Sequence, residues 1–186
     1  MKIIAAVTTC RVSALLIAAG FITAFGGCSK PNTTASVIPT PTPLERALAT
    51  WVRGDKTAAV RLFAETDWDL GPAFSSGSPI TCRESEILQM SPTAETNFTR
   101  QVSTRLAHLY ALVRAVRDEG MALAGSNPDL AYRYFDRIDE CAEALDQPER
   151  MRVVQFLGQT FHRMAEAESK AVARTARTSA SYHSEG

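Results

Sequence analysis

The sequence predicts an all-α domain made of antiparallel helix hairpins. Apolar residues recur at steps of three and four along several segments, as one face of an amphipathic helix requires. Helix-starting pairs such as Ser91-Pro92 and Asn127-Pro128 separate the longer segments. No stretch alternates apolar and polar residues clearly enough to predict a strand. The helical domain is expected to cover residues 44–174, long enough for one domain to bury its own core.

The first hairpin is predicted from two short apolar stripes on either side of Gly54-Asp55. Its apolar residues are Leu44, Ala47, Leu48, Trp51, Val52, Ala58, Ala59, Leu62 and Phe63. Glycine breaks the first helix, and Asp55 can cap the second. The small residues where the helices cross resemble those of tetratricopeptide-like helix pairs. The resemblance implies such a hairpin, with an irregular helical bundle as the alternative.

Residues 67–81, DWDLGPAFSSGSPIT, have two Gly, two Pro and no helical period. We predict an ordered surface loop here, because its large apolar side chains must be covered from water. These side chains are Trp68, Leu70, Phe74 and Ile80. One or two helical turns are expected within 83–90.

Three longer helices follow, each with an apolar stripe. The first begins at Ser91-Pro92 and ends near Gly125, and the second begins at Asn127-Pro128. Asp146 to Glu149 repeats the same pattern, which predicts the start of the last helix there. After about residue 174 the chain turns to Thr, Ser, Arg and Gly, and 175–186 is predicted to be a disordered tail.

The N-terminal residues 1–27 are typical of a cleaved signal peptide. Lys2 and Arg11 flank a mostly apolar start, and residues 12–25 carry no charge before a pair of glycines. That uncharged run is shorter than the about 20 residues of a membrane-spanning helix, which favours cleavage. Residues 28–43, rich in Pro and Thr, are expected to form an extended, disordered tether.

The residues Gly26, Gly27 and Cys28 resemble the lipobox of bacterial lipoproteins, although Phe25 stands where that family usually has an aliphatic residue. In that family the cysteine becomes the acylated first residue after cleavage. The resemblance therefore implies lipidation of Cys28, with palmitate or a similar chain, and a membrane-anchored place in the cell envelope. The residue after Cys28 is Ser29 and not Asp, and this resembles lipoproteins that are sorted to the outer membrane. The alternative is an ordinary cleavage site with a free or disulfide-bonded Cys28.

Charge and cysteine content limit the partners. Removing Lys2 and Arg11 with the signal leaves 18 basic residues against 20 acidic ones, a balance of −2. Such a surface gives no long-range attraction for nucleic acid. Cys82 and Cys141 remain after the signal and Cys28 are set aside, and in an oxidising compartment they could pair or stay separate thiols.

No recurrent catalytic or metal-binding spacing is found, so no catalytic residue, metal site or cofactor is predicted. His108, His162 and His183 stand apart and are expected to pack or to lie on the surface. Asp67 and Asp69 beside Trp68 could bind a cation or a sugar, or could simply cap the preceding helix.

Helix hairpins often present a groove to a peptide or to another helix. Because aromatic residues dominate contact energy, the candidate contact surface is drawn mainly from them. Its members are Trp68, Leu70, Phe74, Tyr132 and Tyr134. Each of them also suits the core, so the two roles stay open.

The first functional hypothesis is a membrane-anchored, non-catalytic helical module that binds another protein. From Leu44 onward the chain resembles envelope lipoproteins with helix-hairpin domains, a likeness that implies a fold and no activity. The alternative is a small-ligand-binding lipoprotein that uses residues 67–81 as a lid over a cleft. An enzyme using Asp67, Asp69 or a helix carboxylate is the least favoured hypothesis, because no second chemical group is placed by motif.

Overall fold

Six α-helices and one short 3-10 helix form the described part of the chain. In order, these are α1 (Pro43–Val52), α2 (Lys56–Ala64), the 3-10 helix Pro79–Thr81, α3 (Glu84–Ile87), α4 (Pro92–Leu123), α5 (Pro128–Leu145) and α6 (Arg152–His183). The computed structural model describes residues 40–66, 68 and 71–183. The predicted all-α fold is confirmed for these residues. The signal peptide, Cys28, most of the tether, Asp67, Asp69 and Leu70 lie outside them.

Helix starts are fixed by side chains that accept hydrogen bonds from exposed backbone N–H groups. The Asp55 side chain accepts from the Ala58 N–H at 3.1 Å and caps α2, as predicted. Ser91 and Asn127 cap α4 and α5 in the same way, each followed by proline in the first turn. These local signals act over three or four residues, and each such cap contributes about 1 kcal/mol to helix stability.

Helices α1 and α2 form the predicted hairpin. Gly54, between them, has φ +97°, a left-handed conformation that favours glycine. Its N–H donates to the Trp51 carbonyl at 3.0 Å and closes the end of α1. The ammonium of Lys56 lies 3.5 Å from the centroid of the Trp51 ring, across the turn. The finer likeness to tetratricopeptide-like pairs stays a prediction.

The core lies mainly between α4, α5 and α6, which are joined by short turns and so run antiparallel to their neighbours. Their fully buried large side chains include Leu109, Leu112, Val113, Val116, Phe135, Ile138, Leu145, Val154 and Phe161. Phe74 and Ile80 from the loop also enter this core, at 4% and 1% exposure. The loop is therefore ordered over its described residues, as its apolar content predicted.

Helix α6 begins later than the sequence pattern indicated. The pattern at Pro148 predicted a start there, whereas the helix begins at Arg152. Arg150 forms an isolated antiparallel bridge with Arg83, and its Nη1 donates to the Thr81 carbonyl at 2.9 Å. These contacts with a distant segment hold the chain extended before α6.

The C-terminal segment also differs from the expectation. Helix α6 continues to His183, into the segment 175–186 that was expected to be a disordered tail. Between Gly158 and Gly186 the sequence has neither Gly nor Pro, and alanine recurs every few residues. With no residue that breaks a helix, nothing in this stretch forces α6 to end earlier.

In the described residues, no helix has both the length and the apolar character to cross a membrane. The same residues contain no group of three or more His, Cys, Asp or Glu side chains placed to hold a metal ion.

Helices α5 and α6 approach closely at Gly158. A Cβ atom at this position would lie 2.8 Å from the Ala142 carbonyl oxygen and 2.9 Å from the Asp146 nitrogen. Those two atoms are joined by the hydrogen bond that ends α5, at 2.9 Å. Because both neighbours are backbone atoms, a side chain at Gly158 can be accommodated only if the helices move apart.

We expect Gly158→Ala to lower the free energy of unfolding by about 1–3 kcal/mol, the usual cost of overpacking. This cost exceeds the gain of up to about 1 kcal/mol that alanine brings to a helix. Urea denaturation followed by circular dichroism measures the change. Gly125→Ala is the control, because a Cβ there meets no atom within 4 Å. Equal stability of the two variants would contradict the close approach.

Candidate functional site

The predicted contact residues do not form one surface. Phe74 is only 4% exposed and belongs to the core, because it fills space beneath the loop. Trp68 packs edge-on against Phe63, with ring centroids 5.8 Å apart. Its Nε1 is buried and has no hydrogen-bond partner among the described residues. Tyr132 and Tyr134 are half-buried against the core on α5, and Leu70 lies outside the described residues.

A different site stands out, an open groove of about 560 Å³ between α1 and α4. We call it the α1–α4 groove. Its walls are Glu45, Leu48, Ala49 and Val52 of α1; Arg100, Gln101, Thr104, Arg105 and His108 of α4; and Pro79 of the 3-10 helix. On each helix these residues recur at steps of three and four, so each wall is one helical face.

The two walls differ in chemistry. The α1 wall is mostly apolar, and Val52 is 57% exposed at its end. The α4 wall carries Arg100, Arg105 and His108, and the first and last of these are eight positions apart. A molecule with an apolar side and a negatively charged side matches this pairing.

Glu45 joins the groove to the rest of the fold. Its Oε2 accepts from the Thr42 N–H at 3.1 Å, completing a capping box at the start of α1. Its Oε1 accepts from the Ser75 hydroxyl at 2.9 Å and from Arg105 Nη2 at 3.4 Å. The Glu45 side chain is 7% exposed, against 33% for Arg105. One buried carboxylate therefore holds α1, the loop and α4 together.

The groove was not predicted from the sequence. Leu48 and Val52 were predicted on the apolar stripe of the first hairpin; Leu48 is buried in the core at 4% exposure, whereas Val52 is 57% exposed. In the sequence, the residues of each wall recur at steps of three and four along their own helix. No local signal in the sequence indicates that the faces of α1 and α4 lie against each other. Arg105 and Glu45 are 60 positions apart in the sequence.

His162 and Asp139 lie at a different place, between α6 and α5. The His162 Nδ1 lies 2.6 Å from Asp139 Oδ1. Nearby, Arg137 Nη1 donates to Glu140 Oε2 at 2.7 Å, as expected for a face of mixed charge. These contacts hold neighbouring turns and helices together. Among the described residues they bring no nucleophile beside the histidine.

Cys82 and Cys141 are both free thiols in the structure, so the disulfide considered from the sequence is not formed in it. Cys141 lies fully buried within α5, and burial raises the pKa of its thiol. Cys82 follows the 3-10 helix and is half-buried. Its pKa is raised to about 11, first by burial and then by the hydrogen bond and negative charge of Glu86.

Glu45→Ala is expected to lower the free energy of unfolding by about 1–3 kcal/mol, since the variant leaves hydrogen-bond donors on three segments without their acceptor. The lower half of that range is favoured because Arg105 is partly screened by water. Thermal and urea unfolding measure the loss. Glu143→Ala, an exposed position on α5, should change the value by less than about 0.5 kcal/mol. Equal effects in the two variants would contradict the joining role of Glu45.

The thiolate is the reactive form of cysteine, so Cys82 should alkylate slowly at neutral pH. In Glu86→Gln the negative charge that raises the Cys82 pKa is gone, and the midpoint of the pH–rate profile should move down from about 11. Iodoacetamide labelling read by mass spectrometry of the Cys82 peptide measures the profile. Glu84→Gln, on the same short helix, should leave it unchanged. An unmoved midpoint in Glu86→Gln would show that burial alone sets the value.

Comparison with known proteins gives no match at any of three levels. No protein-family model matches the sequence, no curated protein matches it, and no solved structure matches the fold. The α1–α4 groove and its charges are therefore the basis for a functional proposal.

Proposed function

We propose that the chain is a membrane-anchored envelope lipoprotein that acts as a non-catalytic helical module and binds another protein in the α1–α4 groove. The single observation that carries the proposal is the pairing of an apolar α1 wall with a cationic α4 wall around one open groove. Val52, 57% exposed, leaves apolar surface uncovered at this place. Binding a partner there would remove that surface from water.

An amphipathic helix with acidic residues on one side suits the groove. Two walls, each one helical face, leave a channel into which a third helix can place its apolar stripe. Its carboxylates would then meet Arg100, which is exposed and has no ion pair among the described residues. Charge complementarity of this kind sets orientation and speeds association more than it adds affinity.

The proposed anchor places the groove near the membrane. Cys28 would carry the lipid, and residues 29–42 would span on the order of 40 Å if extended like polyproline, at about 3.1 Å per residue. Helix α1 begins at Pro43, so the apolar wall of the groove directly follows the tether. The domain would therefore search for partners within a short distance of the bilayer.

A small amphiphilic ligand is the second candidate, and the groove volume favours it. About 560 Å³ falls within the range of small-molecule sites. From the loop 67–81, Pro79 lines this groove, although Phe74 and Ile80 are fixed in the core. A ligand at about 100 times its dissociation constant would add roughly 2.7 kcal/mol to stability, which a thermal-shift screen detects. A hit that is lost in Arg100→Glu, without a protein partner, would favour this candidate.

The anchor and the groove are tested separately in cells that express the full chain. Labelled palmitate should be incorporated by the wild type and not by Cys28→Ser, because the cysteine sulfur is the proposed attachment point. Equal incorporation in both proteins would rule out lipidation at Cys28.

A photo-crosslinking residue at Val52 should give one discrete protein adduct, because Val52 lies at the edge of the groove. The same residue at Val153, an exposed valine of α6 with 54% exposure, is the matched control and should give none. Arg100→Glu, combined with the probe at Val52, should weaken the adduct by reversing the charge of the α4 wall. An adduct that forms equally from both valines would contradict a groove-specific partner.

A further inference from the structure

A second pocket, of about 310 Å³, lies between α2 and α5, and we call it the α2–α5 pocket. Three arginines line it together with one tyrosine: Arg61 from α2, and Arg133, Arg137 and Tyr134 from α5. On α5 the residues from Leu130 to Arg137 recur at steps of three and four, so they share one face. The α2–α5 pocket has no residue in common with the α1–α4 groove.

Glu65 also lines the pocket, and the three guanidinium groups differ in their partners. Arg61 Nε lies 3.8 Å from Glu65 Oε1, a pair exposed to solvent. Arg137 donates its Nη1 to Glu140 Oε2 at 2.7 Å, and its other nitrogens have no hydrogen-bond partner among the described residues. Arg133 has neither a hydrogen bond nor an ion pair within the part of the chain that the structure describes. Glu65 therefore pairs with Arg61 and Glu140 with Arg137, and Arg133 is the guanidinium of this pocket without a carboxylate partner among the described residues.

Tyr134 adds a neutral hydroxyl to the lining of the pocket. Its side chain is half-buried, and its pKa is raised by burial and then by the charges of Glu119 and Glu65. The hydroxyl therefore keeps its proton at neutral pH. In the described residues this hydroxyl has no hydrogen-bond partner.

From this arrangement we propose that the α2–α5 pocket binds a phosphate monoester. Guanidinium groups pair with phosphate oxygens through two parallel hydrogen bonds. Three arginines and a hydroxyl together offer more hydrogen-bond donors than the two oxygens of a carboxylate can accept. A phosphate monoester has three terminal oxygens and can accept more of these hydrogen bonds. Ala64 and Leu130, also in the lining, give the organic part of the ester an apolar contact. This binding is independent of the function proposed for the α1–α4 groove.

Isothermal titration calorimetry with phenyl phosphate tests the proposal on the full chain. Phenyl phosphate should bind saturably, and benzoate, which has the same ring and a carboxylate, should bind at least about tenfold more weakly. Arg133→Gln should weaken phenyl phosphate binding by about tenfold or more, the usual effect of losing hydrogen bonds to a charged group. Tyr134→Phe should weaken it by about fivefold. Circular dichroism verifies that each variant remains folded.

Arg163→Gln is the matched control, because it removes one exposed arginine from α6, away from this pocket, and should leave phenyl phosphate binding unchanged.

Vesicles of phosphatidylcholine with and without phosphatidic acid distinguish a lipid headgroup from a free ligand. Binding that depends on Arg133 and occurs only with phosphatidic acid would place the monoester on a lipid. Benzoate binding as tight as phenyl phosphate, or equal loss in Arg163→Gln and Arg133→Gln, would overturn the proposal.

Discussion

The buried carboxylate of Glu45 is the contact on which the arrangement of the α1–α4 groove depends. It accepts hydrogen bonds from a backbone N–H, a hydroxyl and a guanidinium, which belong to three separate segments of the chain. A charge with 7% exposure is tolerated because those donors replace the water that it loses. The same contact holds Arg105 at the wall of the groove, so the ion pair that joins α1 to α4 is also part of the groove lining.

The rest of the fold is held by apolar packing that the groove does not disturb. Helices α4, α5 and α6 enclose the core, and two glycines allow close approach between them. At Gly120 a Cβ would lie 2.8 Å from the Phe135 ring, and at Gly158 it would meet backbone. Helices α1 and α2 pack on this frame from one side. Binding surfaces therefore lie where the short hairpin meets the long helices, at the α1–α4 groove and the α2–α5 pocket.

Much of the secondary structure could be predicted because its signals are local. Asp55, Ser91 and Asn127 each act on N–H groups within three residues, and the predicted starts of α2, α4 and α5 are confirmed. The start of α6 could not be predicted, since Arg150 is held by Thr81 from a distant loop. A cap pattern carries no information about such long-range contacts.

The sites were harder to predict than the helices for the same reason. Periodicity shows which residues share a helical face, but it does not show which face of another helix lies opposite. Arg100 and Val52 line the same groove because α1 packs against α4. Aromatic content was a poor guide, because the loop side chains Trp68 and Phe74 were needed to cover the core. The lipid anchor rests on residues 1–28, which the structure does not describe, and it stays a prediction.

The capping box at the start of α1 also determines how the domain responds to mechanical tension. A pull from the N-terminal side of the chain reaches Thr42 first, whose hydroxyl donates to the Ala73 carbonyl at 2.7 Å and accepts from the Glu45 N–H at 3.2 Å. Force is therefore shared between α1 and the loop, and through Glu45 it passes to α4.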